Sequence, residues 1–184
     1  SSYLAWQEVG LLRFLTGLEW RPSGFYESSY GILTMIVGTL LVTVGSMTIA
    51  VPLGIASAVY LAEVATPWER EIIKPAVEVL AAVPSVVLGF FGIVVLSPLV
   101  ARFFGLNNGL NALNGSTLLA LMALPTIISI AEDALVAVPT EYKEASLALG
   151  ATRWQTMMRV LLPAAGSGVT AAIMLGVGRA LGET

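Results

Sequence analysis

Between Glu27 and Glu63 the chain carries no charged side chain, and neither do the stretches from Glu78 to Arg102 and from Arg102 to Glu132. A helix rises ~1.5 Å per residue, so about 20 mostly apolar residues cross a hydrocarbon layer of ~30 Å. Each gap is long enough. Only 11% of the 184 residues are charged and 57% are hydrophobic, with a mean hydropathy of +0.86. A soluble domain carries roughly 25% charged residues. Inside a bilayer no water satisfies backbone N–H and C=O groups, so the expected class is all-α: a multi-span helical membrane protein.

The missing residue types narrow the chemistry. The chain has no cysteine and no histidine. A thiol nucleophile, a Ser-His-Asp triad and the usual zinc sites are removed together, and no catalytic residue, metal or cofactor is expected. A net charge of −3 is too small to imply a nucleic-acid partner. There is no initiator Met, and the final "AAIMLGVGRALGET" stops inside an apolar run. Both ends therefore read as cut from a longer parent, with a further span expected before residue 1.

Residues 1–30 carry Tyr3, Trp6, Trp20, Tyr26 and Tyr30 amid scattered charge. Aromatic rings favour the headgroup level, which points to a short interfacial helix followed by a polar extracytoplasmic loop. The core follows over 31–184, with spans expected at about 31–62, 75–100, 117–138 and 165–184. Pro52 and Gly54 should bend or break the first. A charged connector, "EVATPWEREIIKP", leads to the second, which contains Pro84 and Gly89. An Asn- and Gly-rich loop separates the second from the third, which contains Pro125, Glu132 and Asp133. If spans alternate, Arg70, Lys74, Lys143, Arg153 and Arg159 share one side, and Arg13, Arg21 and Arg102 the other. That bias places the segment 139–163 in the cytoplasm.

This segment, "EYKEASLALGATRWQTMMRVLLP" from Glu141, is polar where its surroundings are apolar. Tyr142, Ala145, Leu149 and Trp154 form an apolar stripe at helical spacing, with Glu141, Lys143, Glu144 and Arg153 around it. Gly150 permits a corner, and Pro163 suits the first turn of a new helix. Two short helices set between two spans would act as a lever for a soluble partner. On composition alone, an amphipathic linker touching only headgroups fits as well.

The spacing adds more. Glu144-Ala145-Ser146, then Gly150, then Val160-Leu161-Leu162-Pro163 resemble the EAA loop of ABC-importer permeases, with Ser146 and Val160 as mild departures. The resemblance implies a type I importer permease fold and a coupling helix seated in a groove of a cytoplasmic ATPase. Glu144, Ala145, Ser146 and Gly150 would belong to the docking site.

The last span carries "GVGRALGET". An arginine within a span costs roughly 2.5–3.5 kcal/mol to insert. Arg179 follows Pro163 by about 24 Å of helix, beyond the middle of the layer. Glu183 lies four residues on, along the same helix face. The two could simply neutralise each other and pin helices together. They could instead line an anion path, Arg179 attracting the substrate and Glu183 holding the arginine between passages. Gly178 and Gly182 form a GxxxG pair, suggesting close helix contact on a neighbouring face.

"VGRALGET", with "FLTGLEWRPS" and "VEVLAAVPSVVLGFFG" upstream, is similar to phosphate-importer permeases of the PstC type. That family implies four kinds of neighbour. They are a second, homologous permease of the PstA type, a dimer of cytoplasmic ATP-binding subunits of the PstB type, an extracytoplasmic phosphate-binding protein of the PstS type, and the lipid of the cell membrane. It also implies that Arg179 and Glu183 matter for phosphate passage. Molybdate or sulfate would suit the same arginine. An intramembrane enzyme built on Glu132 and Asp133 is disfavoured, because adjacent residues on a helix point about 100° apart and no histidine supports them. The chain itself has no GxxxxGK[ST] loop with which to bind ATP.

Overall fold

The computed structural model describes residues 10–21 and 29–184, and divides into two units, Ser1–Val42 and Thr43–Thr184. In the first, a short helix α1 (Leu11–Thr16) leads to a two-stranded antiparallel ribbon, β1 (Trp20–Arg21) and β2 (Ser29–Tyr30). Trp20 meets Tyr30 edge to face with ring centroids 5.8 Å apart. The backbone N–H of Gly31 donates to Glu19 and that of Ile32 to Phe14, which fastens the ribbon to the entry of α2 (Leu33–Val59). Gly17 and Gly31 touch backbone to backbone, so neither can carry a side chain. The interfacial helix expected within residues 1–30 falls partly on 1–9 and 22–28, outside the described residues.

Among the described residues, three helical segments are long and apolar enough to cross a membrane: Leu33–Val64, Ser85–Phe104 and Ala112–Val136. The first runs through Pro52 unbroken and widens only at its end, in a π turn over Tyr60–Val64. The break expected at Pro52 and Gly54 is absent because a helix among helices tolerates the lost N–H. Gly54 has a different duty. A Cβ there would stand 2.7 Å from Cγ2 of Ile127.

Helix α3 (Pro67–Ala82) starts earlier than the charge pattern suggested. Thr66 caps it, taking the N–H of Glu69 on its hydroxyl while the Glu69 carboxylate accepts from the Thr66 N–H at 2.7 Å. Pro67 fills the first helical position, where no N–H is needed. The chain then breaks at Val83–Pro84, both extended, and resumes as α4 (Ser85–Phe91), a π turn (Gly92–Leu96) and α5 (Ser97–Phe104). Gly105, at φ 64°, ends it.

Asn111 caps α6 (Ala112–Val136), the most enclosed of the spans. Its core is small. Ala120, Ala123 and Ile127 pack with Ala50 of α2, and Ala131 and Leu135 pack with Ala58 of α2 and with Ala165, Val169 and Ala172. Lipid tails are as apolar as leucine, so helices here associate by close approach of small residues rather than by expulsion of water. After α6 come α7 (Thr140–Ala148), α8 (Arg153–Thr156), a π turn (Met157–Leu161) and α9 (Leu162–Ala164). Finally α10 (Gly166–Glu183) leaves at 71° to the Arg153–Ala164 segment. Helix α10 packs antiparallel on α6, with Gly168 against Ala134 and Gly176 against Ile127. Ile127 is thus a knob held between two glycines, Gly54 and Gly176.

Candidate functional site

Arg179 sits about 20 Å along α10 from Gly166. Its NH1 donates to Oγ1 of Thr126 on α6 at 3.1 Å. Its NH2 makes a long contact, 3.5 Å, to the carbonyl of Ala81 on α3. The guanidinium therefore points at two neighbouring helices. Ala81 lies in the last turn of α3, where carbonyls lack a partner within the helix and a cation is favoured. The break at Val83–Pro84 creates that end. Pro125, buried in α6, stands next to Thr126. Three irregularities thus meet at one level: a broken helix, a proline inside a helix and an arginine.

Glu183 does not hold the arginine. It is exposed on the last turn of α10, and among the described residues no carboxylate lies within 4.0 Å of the guanidinium. Thr126 and Ala81 do the holding that was expected of Glu183. The GxxxG expectation shifts as well. Gly178 and Gly182 have open space around them within this chain, and Gly176 makes the close contact.

A second charged cluster sits two helical turns nearer the start of α3. The Lys74 ammonium lies 3.0 Å from Glu132 and 3.7 Å from Asp133. The adjacent carboxylates converge on one ammonium but differ in exposure. Glu132 has 6% of its side chain exposed and Asp133 74%. The hydrogen bond to Glu132 raises the pKa of Lys74, against the opposing pull of burial. Lys74 and Ala81 share one stripe of α3, two turns apart. The signal that could have found this stripe was the capping box Thr66-Pro67-Trp68-Glu69, which starts the helix before Lys74.

Helices α7 and α8 meet at Gly150, whose φ is 85°, a conformation open to glycine. Thr152 and Gln155 form the capping box that restarts the chain. Inward, Lys143 pairs with Glu63 at the end of the first span, and the Ser146 and Thr156 hydroxyls are 3.0 Å apart. Outward, Glu144, Ala145 and Gly150 are exposed, as is the apolar stripe: Leu149 is 90% exposed and Trp154 66%. So Ser146 braces the segment while Glu144, Ala145 and Gly150 face away from the bundle. A cavity of about 400 Å³ lies behind it, walled by Glu63, Lys143, Arg153 and Met157. Arg70 donates to the Ala62 carbonyl and steadies the same corner.

Residues 50–184 match the family model described as binding-protein-dependent transport system inner membrane component. Over 175 residues the chain is 45% identical to a probable ABC transporter permease protein, YqgH, of Bacillus subtilis, covering 95% of this chain and 56% of that one. It is 36% identical to the phosphate transport system permease protein PstC of Xylella fastidiosa, covering 93% of this chain and 58% of that one. The corresponding protein of Mesorhizobium japonicum is also 36% identical, at 98% and 61% coverage. The chain thus spans less than two thirds of the length of these relatives. Among solved structures, the MetNI methionine ABC transporter in inward-facing conformations superposes with a TM-score of 0.64 at 24% identity, over 83% of this chain and 69% of that one. That likeness establishes the type I importer permease fold. A bundle of apolar spans, an EAA-like corner at its end and a sequence match across most of its length together make this chain a multi-pass membrane member of the binding-protein-dependent transport permease family.

Proposed function

We propose that this chain is a permease subunit of an ATP-driven importer and that it passes inorganic phosphate across the cytoplasmic membrane. The observation that carries the reading is the state of Arg179. It is a cation set among apolar spans whose partners, a hydroxyl and a carbonyl, are both neutral. Such a charge is costly to keep inside a bundle unless an anion visits it. Arginine suits a tetrahedral oxyanion because its planar fork offers several donors at once. The curated relatives named for phosphate transport favour phosphate over other oxyanions. Glu183, at the exposed end of α10, belongs to the mouth of the same route in this reading.

The motor is supplied by others. An ATPase of the PstB type docks on the outward face of α7 through Glu144, Ala145 and Gly150, with Ser146 bracing from behind. Its nucleotide state biases the spans between two openings. A homologous permease of the PstA type completes the route, and an extracytoplasmic phosphate-binding protein of the PstS type delivers the anion. Helix α7 and the positively charged loops then face the cytoplasm.

The test is Arg179→Gln in the complete transporter. Radiolabelled phosphate uptake should be lost while the subunits still copurify. Uptake at the unmodified rate would end the reading. Competition with sulfate and molybdate checks the substrate, since unlabelled phosphate alone should suppress the signal.

A further inference from the structure

We infer that Thr126 is a second anion-binding residue and the group that positions Arg179. This rests on the anion route proposed above. A guanidinium on a long side chain has many orientations, and an anion arriving at a mobile one pays for its ordering. Here one end is fixed. Oγ1 of Thr126 accepts from NH1 at 3.1 Å, whereas the NH2 contact to Ala81 is stretched to 3.5 Å. The firm bond sets the plane, and the weak one is the one an oxyanion displaces.

A hydroxyl has one proton to give and two lone pairs to offer. The bond from Arg179 uses one lone pair of Thr126. The threonines of α2, α6 and α10 that bond locally, Thr48, Thr117 and Thr170, each give their proton to the carbonyl four residues earlier. The Thr126 proton has no acceptor among the described residues. It is left to donate to an oxyanion seated beside the guanidinium, alongside the N–H groups that Thr126 and Ala81 do not use. The ligand class is a tetrahedral oxyanion that accepts hydrogen bonds from two adjacent side chains on different helices, α6 and α10.

The experiment uses the whole transporter, reconstituted with its binding protein and ATPase, with inorganic phosphate as the probe. The reading is phosphate moved per ATP hydrolysed. Thr126→Val keeps the shape and removes the hydroxyl. The ratio should fall about tenfold, the lower range for losing a hydrogen bond to a charged group. Thr126→Ser should restore it to within about twofold, since a hydroxyl is what matters. A merely structural defect would lower transport and ATP turnover together and leave the ratio unmoved, and that result overturns the inference. Should the valine variant fail to assemble, Thr126→Ala removes the same hydroxyl without the branched side chain. Arg179→Gln, run in parallel, separates the two claims. If it abolishes transport while Thr126→Val matches the parent, only the role of Thr126 is lost. If Arg179→Gln is harmless, the anion route itself is wrong.

Discussion

Two cations set against α3, Lys74 and Arg179, are settled in opposite ways. At Lys74 the cation meets carboxylates: the ammonium reaches Glu132 at 3.0 Å and Asp133 at 3.7 Å. At Arg179 the cation meets, among the described residues, a hydroxyl and a carbonyl. Both clusters join α3 to α6, and both lie on the stripe of α3 that carries Lys74 and Ala81. A cation held by two carboxylates has no positive charge left for a passing anion, so the cluster reads as a clasp between helices. A cation with neutral partners keeps its field, so it reads as a site. The counterion, rather than the charge itself, separates structure from function in this molecule.

The sharpest way to break that contrast is to supply the missing counterion. Thr126→Asp would put a carboxylate where the hydroxyl now accepts from Arg179, turning the site into a second clasp. Phosphate transport should drop roughly 100-fold or more, because a fixed carboxylate at hydrogen-bond distance outcompetes a visiting anion. Copurification with the ATPase should persist. Transport near the parent rate would mean that Arg179 need not be open to the anion.

The second way is to remove one partner from the clasp. Glu132 is enclosed and Lys74 is 44% exposed on its side chain, so the two deletions should differ. Lys74→Met strands a buried carboxylate and should cost about 3 kcal/mol, the low end for breaking a buried pair. Glu132→Gln leaves an ammonium that water and Asp133 can satisfy, at about 1 kcal/mol or less. Thermal unfolding in detergent would rank them, and equal losses would say that Glu132 is not enclosed. The pH dependence has a definite sign. Lys74 titrates higher in the folded protein than in the unfolded chain. Its contribution is whole below the unfolded value near 10.5 and fades as pH rises through the higher folded value. Between pH 6 and 9 the contribution of Lys74 should therefore hold constant, and Lys74→Met should erase the alkaline loss.

The contrast itself was only half legible in the sequence. Long gaps in charge announce apolar helices, and such helices run over 33–64 and 112–136. Gly150 announced its corner. Arg179 stood out because an arginine in such surroundings is costly. Its partners did not stand out. Thr126 is 53 residues away and Ala81 is 98, and periodicity tells which face of a helix is apolar without telling which helix will meet it. Glu183 drew attention because it is a neighbour in sequence, one turn along the same helix. The structure preferred more distant neutral groups. Lys74 reads as part of a connector because charge is a strong sign of a loop. The capping box just before it was the weaker and better sign, since it marks where a helix begins whatever follows.

The smallest effect tests how the two clusters are kept apart in depth. Gly176 fits α10 against Ile127, and a Cβ there would stand 2.7 Å from Cγ1 of that side chain. Ile127 is fully buried and is also pressed by Gly54 from α2, so it has little room to yield. Gly176→Ala should cost about 1–2 kcal/mol by overpacking, whereas Gly178→Ala, in open space, should stay within about 0.5 kcal/mol. The direction of the strain matters more than its size. Pushing α10 away from Ile127 lengthens the bond from Arg179 to Thr126, one residue along α6, and leaves the Lys74 cluster untouched because α10 takes no part in it. Transport per ATP should fall in Gly176→Ala while the asymmetry between Lys74→Met and Glu132→Gln survives in that background. If the asymmetry vanishes too, the two clusters are one mechanical unit, and the division between clasp and site drawn from their counterions does not hold.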